Sequence, residues 1–287
     1  MWTSQTLELG RDRSLHLVQA GTGPDLLLIH GALGTHHDWL TSPVAEPLAR
    51  DFRVTIVDRP GHGLSRRPRF SGTPRDQAAQ IVEGMDRLGI ERAVIGSHSY
   101  GGVVSLAMAE RFPERVAALA LAAPLAFPEA RLLEHSMLAP RSLPVLGPII
   151  AQIAQGMRLD QSAIHMVHEL MFFPGEPPAR WKETYPYDQI LTPGASVMEG
   201  EDAASMLPLA PAGSIDVGRI QIPARVVTGT SDKIVEDERQ AKLLGRLMPK
   251  GEVTEVPRAG HMLHHTHADI VERVIREAAA AAAMARA

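Results

Sequence analysis

The chain has 287 residues, no cysteine and a formal net charge of −4. That length suits one large α/β domain, or one domain with an insertion, burying roughly three-quarters of its unfolded surface. The charge argues against a nucleic-acid partner, the missing thiols exclude disulfides and thiolate metal sites, and the apolar runs are too short for integral membrane association.

Residues 1–8 lack a charged start and an apolar core, so no signal peptide is expected and a cytoplasmic location is the default. Leu7 and Leu9, then Leu15, Leu17 and Val18, alternate on either side of Gly10-Arg11-Asp12-Arg13, which predicts an antiparallel hairpin. Leu26-Leu27-Leu28-Ile29 is continuous and apolar, as a buried parallel strand requires. It runs into His30-Gly31-Ala32-Leu33-Gly34, and a helix is expected between Asp38 and Arg50. The next strand, residues 53–57, leads into Asp58-Arg59-Pro60-Gly61-His62-Gly63. Thr73-Pro74-Arg75-Asp76 opens a helix with a cap, a proline and an acid in its first turn, and Gly89 closes it.

A short β-branched run then reaches Ser97-His98-Ser99-Tyr100-Gly101-Gly102, after which Val103 to Ala109 reads as a helix. A serine at a strand-to-helix turn needs small residues two positions either side, because bulk there collides across the turn. Ser99 meets that need with Ser97 and Gly101. Ser97 as nucleophile would place Ile95 at the crowded position. Residues 116–123 form another buried strand, with Ala122-Ala123-Pro124 and no carboxylate at its end.

Strand and helix alternate to residue 124, which implies a parallel sheet covered on both faces. Residues 125–213 break the pattern. They carry half of the twelve methionines, many prolines and no buried strand. Short helices are expected at 130–138, 146–155 and 162–170. Alternation resumes with a strand at 224–229, a helix near 236–247, a strand near 252–256 and a last helix from about Ala268. The alanine tail 278–283 has no amphipathic face and is expected to fray.

The segment around Ser99 resembles the nucleophile elbow of the α/β-hydrolases, with Ser97 in place of the usual first glycine. The resemblance covers residues 23–124 and 222–277. It implies a mostly parallel eight-stranded sheet with helices on both faces, a core of residues 1–124 and 214–287, and a helical lid (cap) over 125–213. Chain order in that fold is serine, acid, histidine. Asp232 just past strand 224–229 is then the acid, and His261 in Arg258-Ala259-Gly260-His261-Met262 the base. The oxyanion donors are the backbone N–H groups of Tyr100 and Ala32. His30, Asp58 and Arg59 are read as structural. His264, His265 and His267 are set aside as metal ligands because no carboxylate partner is placed, and neither metal nor cofactor is expected.

The chemistry this implies is ester hydrolysis through an acyl-enzyme on Ser99, with a rate that falls as pH drops through a histidine pKa of about 6.5. Family members that act on haloalkanes or epoxides carry aspartate at the elbow, and serine excludes that route. Met137, Met157, Met166, Met171, Phe172, Phe173 and Trp181 read either as a flexible apolar pocket for a small to medium hydrophobic ester or as packing of lid on core. Leu33, Met137, Met171, Phe172 and Trp181 are the substrate-binding candidates. Tyr185 and Tyr187 are read as packing or substrate contact. Rival readings are C–C bond hydrolysis, lactone opening or perhydrolysis on the same triad, and a non-catalytic ligand-binding protein. The sequence leaves oligomeric state open.

Overall fold

The structure, a computed structural model, describes residues 1–129, 136–208 and 214–285. Eight strands form one sheet in the order β1-β2-β4-β3-β5-β6-β7-β8. They are β1 (Thr3–Gly10), β2 (Arg13–Ala20), β3 (Asp25–Ile29), β4 (Arg53–Val57), β5 (Ala93–His98), β6 (Val116–Ala122), β7 (Ala224–Gly229) and β8 (Gly251–Val256). The β1–β2 hairpin joins β4 in antiparallel register, and every pairing from β4 to β8 is parallel. The central strands β5 and β6 are buried at every position, which is why they read as unbroken apolar runs rather than alternating ones.

Two cores follow from two covered faces. Ala78, Ile81 and Met85 of the helix Pro74–Arg87 pack with Val103, Val104 and Leu106 of the helix Tyr100–Arg111 on one face. Trp39, Leu48, Val271, Val274 and Ile275 cover the other. Each such aliphatic side chain, fully buried, contributes roughly 1.5–3 kcal/mol. The helix Pro74–Arg87 starts on a capping box in which Thr73 and Asp76 bond reciprocally.

Three expectations about elements are corrected. The helix expected between 38 and 50 is two short ones, His36–Thr41 and Ala45–Leu48, because Ser42 caps the first through its N–H and hydroxyl to Trp39 O. The helix near 236–247 starts only at Glu238, with one wide turn before Leu243–Leu247. The alanine tail does not fray. The helix Ala268–Met284 runs through it, and Ala278, Ala281 and Ala282 are buried. A methyl side chain lets a helix lie close on the sheet without a large apolar stripe.

Between β6 and β7 lie helices at Leu146–Gly156, Leu159–Phe172, Ala179–Thr184, Tyr187–Ile190 and Pro193–Ser205. The helix expected at 130–138 begins outside the described residues. No described helix is long and apolar enough to cross a membrane.

Candidate active site

Ser99 closes β5 and caps the following helix with φ +51° and ψ −120°. A non-glycine residue held there carries about 1–3 kcal/mol of backbone strain, which the surroundings must impose. They do so through hydrogen bonds: Ser99 N donates to Ala122 O, and Ser99 O accepts from Gly102 N and Leu125 N. Gly101 has to be glycine, since a Cβ would stand 2.7 Å from Ile29 O and 2.8 Å from His30 O. Ser97, two residues before the turn, is fully buried in β5, and its hydroxyl has no partner among the described residues. The extra CH2OH at the elbow is therefore accommodated sterically but left unsatisfied.

The loop after β7 presents Asp232. One carboxylate oxygen accepts from Ile234 N (2.7 Å) and Val235 N (3.0 Å). The other lies 2.7 Å from His261 Nδ1. Because a carboxylate only accepts, Nδ1 carries the proton and Nε2 is left free to act as a base. His261 is further held by its own backbone, N to Met171 O at 3.2 Å and O to His98 Nε2 at 3.2 Å. Ser99 and His261 both face one cavity of about 350 Å3, although no Ser99–His261 hydrogen bond is formed. Such bonds often tighten only when substrate arrives.

Of the expected oxyanion donors, Tyr100 opens a helix, so its N–H has no intrahelical acceptor. Ala32 lines the cavity beside Ser99. The loop carrying Ala32 is tightly held. His30 accepts from Arg59 N at Nε2 (2.9 Å) and so donates from Nδ1 to Gly31 O (2.8 Å). Burial, helped by the Arg59 charge, pushes its pKa down to about 3, so it stays neutral. Leu33 sits at φ +52°, and both of its peptide groups are gripped from the insertion. Its N–H donates to Glu199 Oε1 (2.7 Å), and its C=O accepts from the Tyr185 hydroxyl (2.8 Å).

Glu199 belongs to the helix Pro193–Ser205, which a buried charge cluster fixes to the core. Arg59 bonds Asp202 at 2.5 Å, and its two Nη groups also reach Gln77 and Gly31 O. Arg67 bonds Glu201 and Asp202, and Arg69 bonds Glu201. His62 lies between Glu199 (3.2 Å) and Asp202 (2.9 Å). Burial and Arg59 push the His62 imidazole down, but the two carboxylates outweigh them and raise it. Burial works to raise Asp202, yet Arg59, His62 and Arg67 together hold it well below the usual carboxylate range. The Arg59 guanidinium also lies 4.6 Å over the Tyr100 ring, whose hydroxyl meets Ser205. Asp58 and Arg59 are thus structural: Asp58 accepts from His36 N and Leu64 N and does not reach the cavity.

The cavity corrects part of the substrate-binding set. Leu33, Met137 and Met171 line it, with Ile164, Val167 and Ile190. Phe172 and Trp181 do not. They meet edge to face with ring centroids 4.9 Å apart in a satellite core with Met171 and Met262. Met157, Met166 and Phe173 face solvent. Helical periodicity cannot say which apolar face of an inserted helix meets a cavity and which meets another helix. The sequence reading also missed Glu199 and Asp202. Their signal was the pairing of an acidic run, Glu199-Gly200-Glu201-Asp202, with Arg59, Arg67 and Arg69 across the chain.

A family profile described as alpha/beta hydrolase fold matches residues 24–268. Over 113 residues the chain is 40% identical to a dihydrolipoyllysine-residue acetyltransferase component of the acetoin cleaving system from Cupriavidus necator, covering 39% of this chain and 29% of that protein. Over 110 residues it is 38% identical to the pimeloyl-acyl-carrier-protein methyl ester esterase of Nitrosomonas europaea, covering 38% of this chain and 41% of that protein. The matches thus span less than half the length of these two relatives. The solved structure of epoxide hydrolase CorEH superposes with a TM-score of 0.79 at 19% identity, over 98% of this chain and 99% of that one, a likeness of fold alone.

Proposed function

This chain belongs to the alpha/beta hydrolase fold family, and on that premise we propose that it is a serine hydrolase cleaving small to medium hydrophobic carboxylic esters. The observation that carries the reading is the Asp232–His261 pair, 2.7 Å apart, opening on the same cavity as a serine in a strained turn. His261 Nε2 takes the Ser99 proton as Oγ attacks the ester carbonyl. The N–H groups of Ala32 and Tyr100 hold the oxyanion. His261 then protonates the leaving alcohol, leaving Ser99 acylated. Water, deprotonated by the same imidazole, attacks the acyl-enzyme, and the acid leaves as Ser99 regains its proton. Asp232 keeps the tautomer correct and stabilises the imidazolium.

A cavity of about 350 Å3 with walls of Ile164, Val167, Met171 and Ile190 suits an apolar acyl or alkoxy group. The similarity to a methyl ester esterase supports ester substrates. The helices between β6 and β7 act in this reading as a lid over residues 1–124 and 214–287. A series of p-nitrophenyl esters from two to twelve carbons tests it: kcat/KM is expected to peak at intermediate length. No turnover of any ester, together with no labelling of Ser99 by a fluorophosphonate, would overturn it in favour of a binding protein.

The lid also supports the oxyanion loop, because Leu33 adjoins Ala32 and is held by Glu199. Glu199→Ala is expected to lower kcat about 10- to 100-fold with little change in KM, as the loop relaxes by a fraction of an ångström. Glu199→Gln keeps an acceptor and should retain most turnover. Steady-state kinetics on the preferred ester separates this from a role in substrate binding, which would move KM instead.

A further inference from the structure

Three clusters of histidine and carboxylate side chains bring their ligand atoms within 4.8 Å of one another among the described residues. Two are already satisfied. In the first, Asp58 takes the His36 N–H and imidazole and the Leu64 N–H, while His16 bonds Thr6. In the second, Arg59 and Arg67 already neutralise the carboxylate beside His62. The third, Asp38 with His98 and His264, differs in kind. No arginine or lysine pairs with Asp38 among the described residues, and the imidazoles are short of partners. His98 Nδ1 and both nitrogens of His264 are buried without a hydrogen bond.

The protonation pattern follows from one contact. His98 Nε2 lies 3.2 Å from His261 O, and a carbonyl only accepts, so Nε2 carries the proton. Nδ1 is then a bare lone pair, and it stands 3.8 Å from Asp38 Oδ2. His264 Nε2 stands 3.0 Å from Asp38 Oδ1. Burial pushes both imidazoles below their ordinary pKa, neighbouring histidines push the same way, and the Asp38 carboxylate only partly offsets them. The bare Nδ1 lone pair of His98 facing the Asp38 carboxylate is a repulsive contact that a cation between them would relieve. Divalent transition-metal bonds of about 2.1 Å put neighbouring ligand atoms roughly 3.0–3.5 Å apart, against 3.0 Å from Asp38 to His264 and 3.8 Å from Asp38 to His98. The supporting contacts are those of a metal site: one ligand imidazole donates its far N–H to a backbone carbonyl, and His265 Nε2, 3.0 Å from Asp38 Oδ1, orients the carboxylate. A void of about 20 Å3, room for one water-sized body, adjoins Asp38 and His98 and offers the approach.

We propose that Asp38, His98 and His264 bind one divalent transition-metal ion, with zinc the best match to two neutral imidazoles and a carboxylate. The site holds together the three segments that carry the active groups. Asp38 follows the loop of Ala32, His98 precedes Ser99, and His264 follows His261 in the chain. The ion is a structural tie beneath the active site, and the proposal is independent of which bond Ser99 attacks.

The test uses the full chain after chelator treatment and gel filtration. Calorimetric titration with Zn2+ and metal analysis should give one equivalent per chain, and thermal unfolding should shift upward as ligand linkage requires. Asp38→Asn, which keeps the bond from His265 but loses the charge, should weaken binding at least 100-fold. So should His264→Leu. Co2+ in the wild type should give visible absorption bands of nitrogen- and oxygen-ligated cobalt, a readout that needs no variant to fold. The proposal is overturned by absence of saturable Zn2+ uptake and cobalt bands in the wild type, or by uptake unchanged in both variants, which would place the ion on surface histidines.

Discussion

Ser99→Ala is expected to lower kcat by at least about 10,000-fold on any ester the wild type hydrolyses, because the acyl-enzyme route closes and only binding and the oxyanion donors remain. KM should stay within a few-fold, since the cavity walls and both N–H donors are untouched. The backbone at 99 sharpens the experiment. At φ +51° a Cβ is strained, and alanine has the same Cβ as serine, so Ser99→Ala should unfold at nearly the wild-type temperature. Ser99→Gly removes the strain and should be more stable by about 1 kcal/mol while equally inactive. Activity and thermal unfolding measured on both variants check the pair. Residual kcat in Ser99→Ala within tenfold of wild type would show that another group is the nucleophile.

Asp202→Ala is expected to cost about 3–5 kcal/mol of stability, among the largest effects available to a single change in this chain. The reason is desolvation. Arg59 and Asp202 are fully buried and 2.5 Å apart, with Arg67 and His62 on the same carboxylate. Removing the acid leaves positive charge in a dry interior. Adding Arg59→Met to Asp202→Ala should recover part of the loss, which urea midpoints will show. The same cluster sets a pH dependence. His62 has a raised folded pKa, so its contribution is complete below its unfolded value of 6.5 and is lost as pH rises through the higher folded value. Asp202 has a depressed one, so its contribution is complete above its unfolded value of 3.8 and fades only as pH falls through the lower folded value. The clamp is therefore strongest between about pH 4 and 6.5, and its weakening at alkaline pH should disappear in His62→Gln.

The clamp also ties the helices between β6 and β7 to the loop after β3. Pro193–Ser205 docks through Asp202, and one turn earlier Glu199 reaches Leu33 in the loop after β3. Loss of docking should thus reach catalysis as well as stability.

The elements that were legible in the sequence are those whose signal is local. Continuous runs such as Leu26 to Ile29 and Val116 to Ala122 declare buried parallel strands, since both faces must be apolar. Thr73 and Pro74 declare a helix start through backbone donors that only a cap can satisfy. Ser99, Asp232 and His261 were legible because each stands at a strand end, and a parallel sheet gathers its C-terminal strand ends at one edge. Asp232 and His261, far apart in sequence, lie 2.7 Å apart there.

What only the tertiary structure decided are relations between distant side chains of the same type. Nothing local distinguishes Met171, which meets the cavity, from Phe172, which packs on Trp181. Nothing near His264 names Asp38, more than two hundred positions earlier, as its neighbour. Sequence determines which segments bury apolar surface because burial is a property of each residue and its immediate period. Which charge meets which depends on chain closure over long loops, and that is settled only when the sheet assembles and the inserted helices dock.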